Sequence, residues 1–451
     1  MVFIDSTVVN VALPAVQRDL GGGLAAQQWV VDAYLLTLGS LILVGGSIGD
    51  IFGEVRVFIL GVASFGVASV LCGIAPDINT LIVFRGIQGV AGALLTPASL
   101  ALITSTFSGE ERGAAIGTWT AWTGISIVIG PLFGGWLIDV SSWRAIFFLN
   151  VPIAIVTLAI ALRLPGRVAK RTAVRVDLVG AALCTIGLGS LVFGFIEQPR
   201  RGWGSPAVAG TIAAGVVLLV AFVFYESRTR EPMLPLRLFH SRNFTVANVE
   251  TLAVYGALTG SFFFLAIFLQ QRAGWSPLQA GAATSPVTVV MFLFSRKVGA
   301  LSARFGPRFF MSAGPTIAGL SMLGFARLPE HVNYVRDVLP PLLGFSVGMT
   351  LTVAPLTTTV LSEAGPGDAG IASGVNNAVA RVAGLLAIAL LGIAAGGTLT
   401  TSSFHRTIAV TSAFLVLGGL IGAAGIRNPS SRSAGSPERR ATDLPSPSRP
   451  G

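Results

Sequence analysis

Long apolar runs separated by short polar gaps dominate the chain from one end to the other. A run of about 20 apolar residues is long enough to cross the hydrocarbon core of a bilayer as an α-helix. The first run covers only about 22 Å of a core of roughly 30 Å, so we expect its helix to continue into sequence upstream of Met1. We predict fourteen spans, at 1–15, 28–49, 57–75, 79–105, 113–138, 144–163, 178–197, 206–225, 245–269, 278–301, 309–328, 337–361, 371–397 and 406–426.

Composition agrees with this pattern and excludes most other classes of protein. Hydrophobic residues make up 53% and charged residues 11% of the 451 residues, and the mean hydropathy is +0.77. A soluble domain has about 25% charged residues. The net charge of +10 does not indicate nucleic-acid binding, because the basic residues lie in the short gaps and form no basic domain. The sequence therefore predicts an all-α integral membrane protein.

The residues that metal sites, disulfides and nucleotide sites require are scarce. Cys72 and Cys184 both lie in apolar runs, so neither a disulfide framework nor a metal site is indicated. A phosphate-binding loop ends in Gly-Lys, and neither of the two lysines, Lys170 and Lys297, follows a glycine. We therefore expect no enzyme activity, no metal and no cofactor.

The distribution of basic residues predicts the orientation in the membrane. Twenty of the thirty Lys and Arg residues lie in the gaps on one side and in the tail, and eight lie in the gaps on the other side. Since cytoplasmic loops carry the excess of Lys and Arg, both termini are predicted to be cytoplasmic. Twenty-eight of the thirty are arginine, which together with abundant Ala and Gly suggests a bacterial source. The Ser/Pro/Arg-rich tail at 427–451 is predicted to be disordered.

An internal repeat predicts how the spans are organised. GSIGDIFGEVR (Gly46–Arg56) and GALSARFGPR (Gly299–Arg308) align at one offset of 253 residues, and each follows the second helix of a six-helix block. We predict two six-helix halves, 1–164 and 244–426, joined by a linker at 165–243 that holds two extra helices. Repeats of this kind are typical of alternating-access transporters, whose substrate sites lie near the midplane between the halves.

Five motifs, in order along the chain, resemble those of one protein family. They are FIDSTVVNVALP (Phe3–Pro14), GSIGDIFGEVR, LIVFRGIQGVAG (Leu81–Gly92), GPLFGG (Gly130–Gly135) and WRAIFFLNVP (Trp143–Pro152). With them the chain resembles the fourteen-helix drug:proton antiporter branch of the major facilitator superfamily over nearly its whole length. The resemblance implies the major facilitator fold and a monomer that is driven by the proton gradient and needs no cofactor.

Arg85 is the charged residue that most needs an explanation, because a charge at the centre of a membrane helix costs about 2.5–3.5 kcal/mol. One alternative is a structural arginine that binds backbone carbonyls. The resemblance implies instead that Arg85 acts on carboxyl groups that gain and lose a proton. The candidates are Asp5 in the first span and Asp32 in the second. The alternative for Asp32 is a hydrated residue near the outer helix end, and for Asp5 a position close to the cytoplasmic face.

Glu250 and the repeated loop motif supply further candidates. Glu250, in the ninth span, could recognise a cationic substrate or face a small water pocket. In the family the loop motif is thought to latch one state through charge pairs, which assigns gating to Gly46, Asp50, Gly53 and Arg56. The basic residues usual after the aspartate are replaced here by Ile51, Glu54 and Val55, so this latch is poorer in cations.

The fifth span carries the residues of the family's antiporter motif. Small residues let membrane helices approach closely, and a proline adds a kink, so this motif is expected to pack the halves and limit leak. Ser126 occupies a position where glycine is usual. The assigned residues are Gly117, Gly130, Pro131, Gly134 and Gly135.

These observations predict a proton-coupled exporter of small amphipathic compounds or drugs in the cell membrane. Its partners would be those compounds, protons and lipid, with Phe262, Phe263 and Phe264 among the residues that line the cavity. The alternatives are a dedicated exporter of one metabolite or antibiotic, and a non-transporting membrane sensor with the same fold.

Overall fold

The computed structural model describes residues 1–164, 176–329, 331–364 and 369–428. The regular structure in these ranges is helical throughout. Three short 3-10 or π segments precede or follow the main helices in the second half of the chain. The α-helices are α1 (Val2–Leu20), α2 (Leu24–Phe52), α3 (Glu54–Gly73), α4 (Ile78–Thr106), α5 (Gly109–Val140), α6 (Ala145–Phe148), α7 (Asn150–Ala161), α8 (Leu178–Arg201), α9 (Pro206–Glu226), α10 (Arg242–Gln271), α11 (Pro277–Ala283), α12 (Ser285–Phe305), α13 (Pro307–Met322), α14 (Leu339–Ser362), α15 (Ala369–Ala395) and α16 (Thr401–Gly425).

The helices follow the predicted order of spans. In the described ranges, eleven helices are long and apolar enough to cross a membrane. Shorter apolar stretches at Ile129–Val140 and Ala145–Ala161 belong to the fifth and sixth spans, and α1 is the helix of the first. The sixth span is formed by α6 and α7 together, and the tenth by α11 and α12. The all-helical membrane fold is therefore confirmed, and the three further predicted spans are the 19-residue α1, the 32-residue α5, and α6 together with α7.

Most boundaries differ from the prediction by a few residues, and two of the differences change how the motifs are placed. The first helix runs to Leu20 and does not end at residue 15. The prediction stopped too early because Arg18 and Asp19 end the apolar run, whereas the helix continues through them. The repeated motif is not an extended loop: α2 continues to Phe52, and Gly53 alone separates it from α3. Gly53 has a φ of 95°, and Gly306 has a φ of 85° at the same place in the repeat. Both turns need a residue without a side chain in this left-handed region.

The two predicted halves meet along several helix pairs. α2 packs against α15, α5 packs against α11 and α12, and α1 packs against α10. The inserted helices α8 and α9 pack against each other, and α8 also contacts α2 and α15. The inserted pair therefore lies beside one line of contact between the halves. The domain limits at 164, 243 and 426 stay predictions, and the tail from 429 onward lies outside the described residues.

Hydrogen bonds between the halves lie on one side of the molecule. The helix ends near Gly53, Ser108, Ser227, Gly306 and Glu363 form the face that we call the basic face, and the other helix ends form the opposite face. In the described ranges, side-chain and backbone bonds between the halves lie toward the opposite face. They are Gln28 Nε2 to Ile388 O (2.6 Å), Gln270 Nε2 to Val11 O (3.0 Å), Gln271 Nε2 to Gln17 Oε1 (2.7 Å), Ser276 Oγ to Asp139 Oδ2 (3.0 Å) and Leu278 N to Asp139 Oδ2 (3.2 Å). The structure is thus closed at the opposite face.

Candidate functional site

Arg85 and Asp5 form a buried ion pair between α4 and α1. Arg85 Nη1 donates to Asp5 Oδ2 at 2.5 Å, and both side chains are 1% exposed. The Nε of Arg85 donates to the backbone carbonyl of Val30 on α2 at 3.1 Å. The guanidinium lies 4.2 Å from the ring centroid of Tyr34 and 5.8 Å from that of Phe147. Arg85 is therefore paired, hydrogen-bonded and stacked, which offsets the cost of its burial.

Gln88 joins this pair into a network. It lies one helical turn after Arg85 on the same face of α4, accepts from Arg85 Nη1 at 2.6 Å and donates to Asp5 Oδ1 at 3.0 Å. Its Nε2 also donates to Ser69 Oγ on α3 at 2.8 Å. Asn150, the first residue of α7, donates to Asp5 Oδ1 at 3.3 Å. Asp5 thus receives bonds from three side chains, and the network around its carboxylate links five helices of the first half, α1, α2, α3, α4 and α7.

Asp32 does not join this network. It is fully buried, and neither carboxylate oxygen has a hydrogen-bond partner among the described residues. It lies on the side of α2 that faces α15, since Gln28 one turn before it bonds Ile388 and Gly39 two turns after it packs against Arg381. The alternative of a hydrated residue at a helix end is wrong, because α2 begins at Leu24 and encloses Asp32 well inside the bundle.

Glu250 lies inside the second half. It is fully buried on α10, and its two carboxylate oxygens have no partner in the described ranges. A Cβ atom placed on Gly422 of α16 would come 2.9 Å from its Oε2, so the side chain points toward that helix. The residue is enclosed by packed helices of its own half, away from Arg85 and Asp5.

The four gating residues lie around the break between α2 and α3. Gly46 and Asp50 belong to the last turns of α2, Gly53 is the break, and Arg56 belongs to the first turn of α3. Asp50 and Arg56 are exposed, and within the described ranges neither forms an ion pair. The two charged residues of the motif are thus unpaired among the described residues at the basic face, in a structure that is closed at the opposite face, and their gating role stays a prediction.

The antiporter-motif residues separate into two groups. Gly130 and Gly134 face Thr7 and Val8 of α1, where an added Cβ would clash with their side chains. Gly135 faces Pro277 and Leu278 at the start of α11, and Pro131 contacts Gly281 of the same helix. These four residues pack α5 against α1 and against the second half. Gly117 is exposed, and a Cβ added there would meet open space.

Sequence reasoning missed Gln88, Ser69, Asn150 and Tyr34. Gln88 left a signal, because a polar residue three positions after a membrane arginine lies on the same helix face. The other three come from helices whose rotation about their axes the apolar pattern does not determine. Of the aromatic residues expected to line a cavity, Phe263 and Phe264 are fully buried, and Phe262 packs edge-on against Phe345 at 5.8 Å.

Comparison with known families decides the classification. A family model described as Major Facilitator Superfamily matches residues 1–388. The chain belongs to the major facilitator superfamily. Solved structures agree on the fold: a peptide transporter structure described as POT in complex with sulfate has a TM-score of 0.71 at 14% identity and covers 94% of this chain and 91% of its own. The family consists of membrane transporters, not enzymes.

Relatives of this superfamily member are named for resistance and export. The chain is 36% identical to the puromycin resistance protein of Streptomyces alboniger over 90% of its own length and 82% of that relative. It is 34% identical to the tetracenomycin C resistance and export protein of Streptomyces glaucescens, over 87% and 73%. It is 36% identical to the cephamycin export protein of Amycolatopsis lactamdurans, over 87% and 82%. The motif resemblance noted in the sequence is confirmed.

Proposed function

We propose that this protein exports small amphipathic compounds across the cell membrane in exchange for protons. The observation that carries the proposal is the buried ion pair of Asp5 with Arg85, held by Gln88 where α1 and α4 meet. A carboxylate at this position can accept a proton, and its attraction to the guanidinium then weakens. The inward movement of a proton, worth about 2.3 kcal/mol per 100 mV from its charge alone, supplies work for export.

The contacts of α1 connect this proton site to the contact between the halves. α1 carries Asp5, packs against Gly130 and Gly134 of α5, and accepts a bond from Gln270 of α10 at Val11. A change in the Asp5–Arg85 bond therefore acts on the helix that touches both halves. Asp32 is the second proton-carrying candidate, because opening of the opposite face would separate α2 from α15 and expose it. A dehydrated carboxyl group without a partner is stable only in its neutral form.

A dedicated exporter of one compound is the second candidate function. Two of the relatives are named for the export of a single compound, tetracenomycin C and cephamycin. The two candidates share the proton-coupling machinery and differ only in how many compounds the central site accepts.

Transport in proteoliposomes tests the proposal. Vesicles with an acidic interior should accumulate labelled puromycin, through molecules whose basic face points outward, beyond the passive trapping of its amine in protein-free vesicles. A protonophore should abolish this excess. Asp77→Asn is the matched control, because Asn caps a helix as well as Asp. Hydrogen bonds from Thr80 hold the pKa of Asp77 below its usual value, so Asp77 does not exchange protons near neutral pH. Accumulation unaffected by the protonophore would contradict proton coupling.

A further inference from the structure

A second arginine lies in the contact between the halves, and the mechanism above does not use it. Arg381 belongs to α15, and its Cβ lies 3.1 Å from the position of a Cβ on Gly39. Gly39 is near the middle of the 29-residue helix α2. Arg381 is thus placed at mid-depth in the molecule, where one half faces the other.

Arg381 differs from Arg85 in having no acidic partner. In the described ranges Arg381 forms neither an ion pair nor a hydrogen bond, whereas Arg85 forms both. The side chain of Arg381 is partly exposed. The titratable groups that act on it electrostatically are the phenols of Tyr34 and Tyr255. Phenols are neutral at pH 7 and leave its charge uncompensated. A guanidinium in such a position has five donors for a ligand.

One aromatic ring lies beside this guanidinium, and a second ring packs against the first. The guanidinium lies 5.2 Å from the ring centroid of Phe3 on α1. Phe3 packs edge-on against Trp119 of α5, with centroids 6.4 Å apart. Phe3, Trp119 and Tyr255 of α10 are partly exposed, as Arg381 is.

The carboxyl groups of the interior are not available to balance this charge. Asp5 is occupied by Arg85 and Gln88, and Glu250 is enclosed in the second half. Asp32 lies on α2 two turns closer to the opposite face than Gly39, among the residues that close that face. A cationic compound at the centre would meet Arg381 as a like charge.

We infer that Arg381, the adjacent ring of Phe3 and the partly exposed rings of Trp119 and Tyr255 bind an aromatic compound that carries an anionic group, such as a carboxylate or sulfonate. The anion pairs with the guanidinium, and the aromatic body stacks on the rings. This inference rests on the proposed export function and adds to it a preference for compounds that carry an anionic group. Because Arg381 belongs to the second half and Phe3 to the first, neither half alone could form this binding site.

Binding of two probes of opposite charge tests this inference. Pyrenebutyrate and pyrenebutylamine share an aromatic body and differ in the charged group. We expect the purified native protein to bind pyrenebutyrate about tenfold more tightly than pyrenebutylamine, because charge-assisted hydrogen bonds are among the strong ones. Arg381→Gln should remove this preference, and Arg381→Lys should retain part of it. Arg406→Gln, which changes the same charge at an exposed position, should leave it unchanged.

Several results would overturn the inference. They are equal binding of the two probes by the native protein, tighter binding of the amine, binding of neither probe, or a preference that survives Arg381→Gln. Elution of each variant as a single species on size-exclusion chromatography controls for folding. Gradient-driven export is measured separately on the same preparation. If puromycin export persists while the anion preference is absent, the proposed function stands and only this inference fails.

Discussion

The side-chain amide of Gln28 on α2 donates a 2.6 Å hydrogen bond to the backbone carbonyl of Ile388 on α15, across the contact between the halves. Both groups are buried, so the bond forms in a dehydrated position where loss of one partner leaves the other unsatisfied. Alternating access requires this bond to break whenever the opposite face opens. This hydrogen bond therefore contributes directly to the equilibrium between the two states.

Gln28→Leu should shift this equilibrium toward the state that is open at the opposite face. A lost hydrogen bond of about 1 kcal/mol corresponds to a change of about fivefold in the population ratio. Double electron–electron resonance between spin labels at positions 18 and 402, where Arg18 and Ser402 are exposed near that face, should show a larger share of long distances. Gln198→Leu on α8 makes the same chemical change as a control. An unchanged distance distribution would show that this bond does not hold the face closed.

Gln88→Leu should lower both stability and transport rate. The substitution removes an acceptor of Arg85 and a donor to Asp5, and hydrogen bonds to charged groups contribute about 1.5–3 kcal/mol each. We expect a lower thermal unfolding midpoint in detergent and roughly tenfold slower export, since Gln88 positions the ion pair. Gln198→Leu again controls for the loss of an amide. Native rates in Gln88→Leu would restrict the coupling group to Asp5 and Arg85.

Two glycine substitutions in α5 should affect export differently. A Cβ at position 135 would lie 2.6 Å from the backbone carbonyl of Pro277 and 2.7 Å from Leu278 Cα, so Gly135→Ala should hinder closure of the opposite face and slow export. Gly117→Ala meets open space and should keep native export, with stability raised by up to about 1 kcal/mol from helix propensity. Export rates in proteoliposomes provide the comparison. Equal rates for both variants would refute a packing role for Gly135 between the halves.

Asp32→Asn and Asp5→Ala should differ in thermal stability, because the carboxyl group of Asp32 has no hydrogen-bond partner in the described ranges and that of Asp5 has three. Asp32 loses no bond when its carboxyl becomes an amide, so its variant should unfold at the native temperature. Asp5→Ala leaves Arg85 buried and unpaired, which costs about 3–5 kcal/mol and should lower the unfolding midpoint by several degrees. Thermal unfolding followed by intrinsic fluorescence measures both. A clear loss of stability in Asp32→Asn would reveal a partner for Asp32.

The sequence predicted the membrane fold, because span number and order follow from the length and spacing of apolar runs. The ends of the spans were harder to predict, since Arg18 and Asp19 interrupt the apolar pattern while α1 continues to Leu20. Helices such as α6 and α7 divide one predicted span into two segments, a local feature that average hydropathy does not contain.

The candidate site was only partly predictable, for a different reason. The motifs named Asp5 and Arg85, which prove to be partners, but Asp32 in the second predicted span was an equally possible acid for Arg85. Which of the two acids meets Arg85 depends on how α1, α2 and α4 are rotated about their axes, and many apolar rotations look alike in one sequence. Gln88 and Asn150 gained their roles from the same rotations.

The central claim is that export is coupled to protons through Asp5. The most direct test records the internal pH of acid-loaded proteoliposomes with a trapped pH-sensitive dye while puromycin is added outside. With the native protein and with Asp77→Asn, puromycin should accelerate alkalinisation of the interior, and with Asp5→Asn it should not. Alkalinisation at the native rate in Asp5→Asn, or no response to puromycin in native protein that accumulates the compound, would contradict the claim.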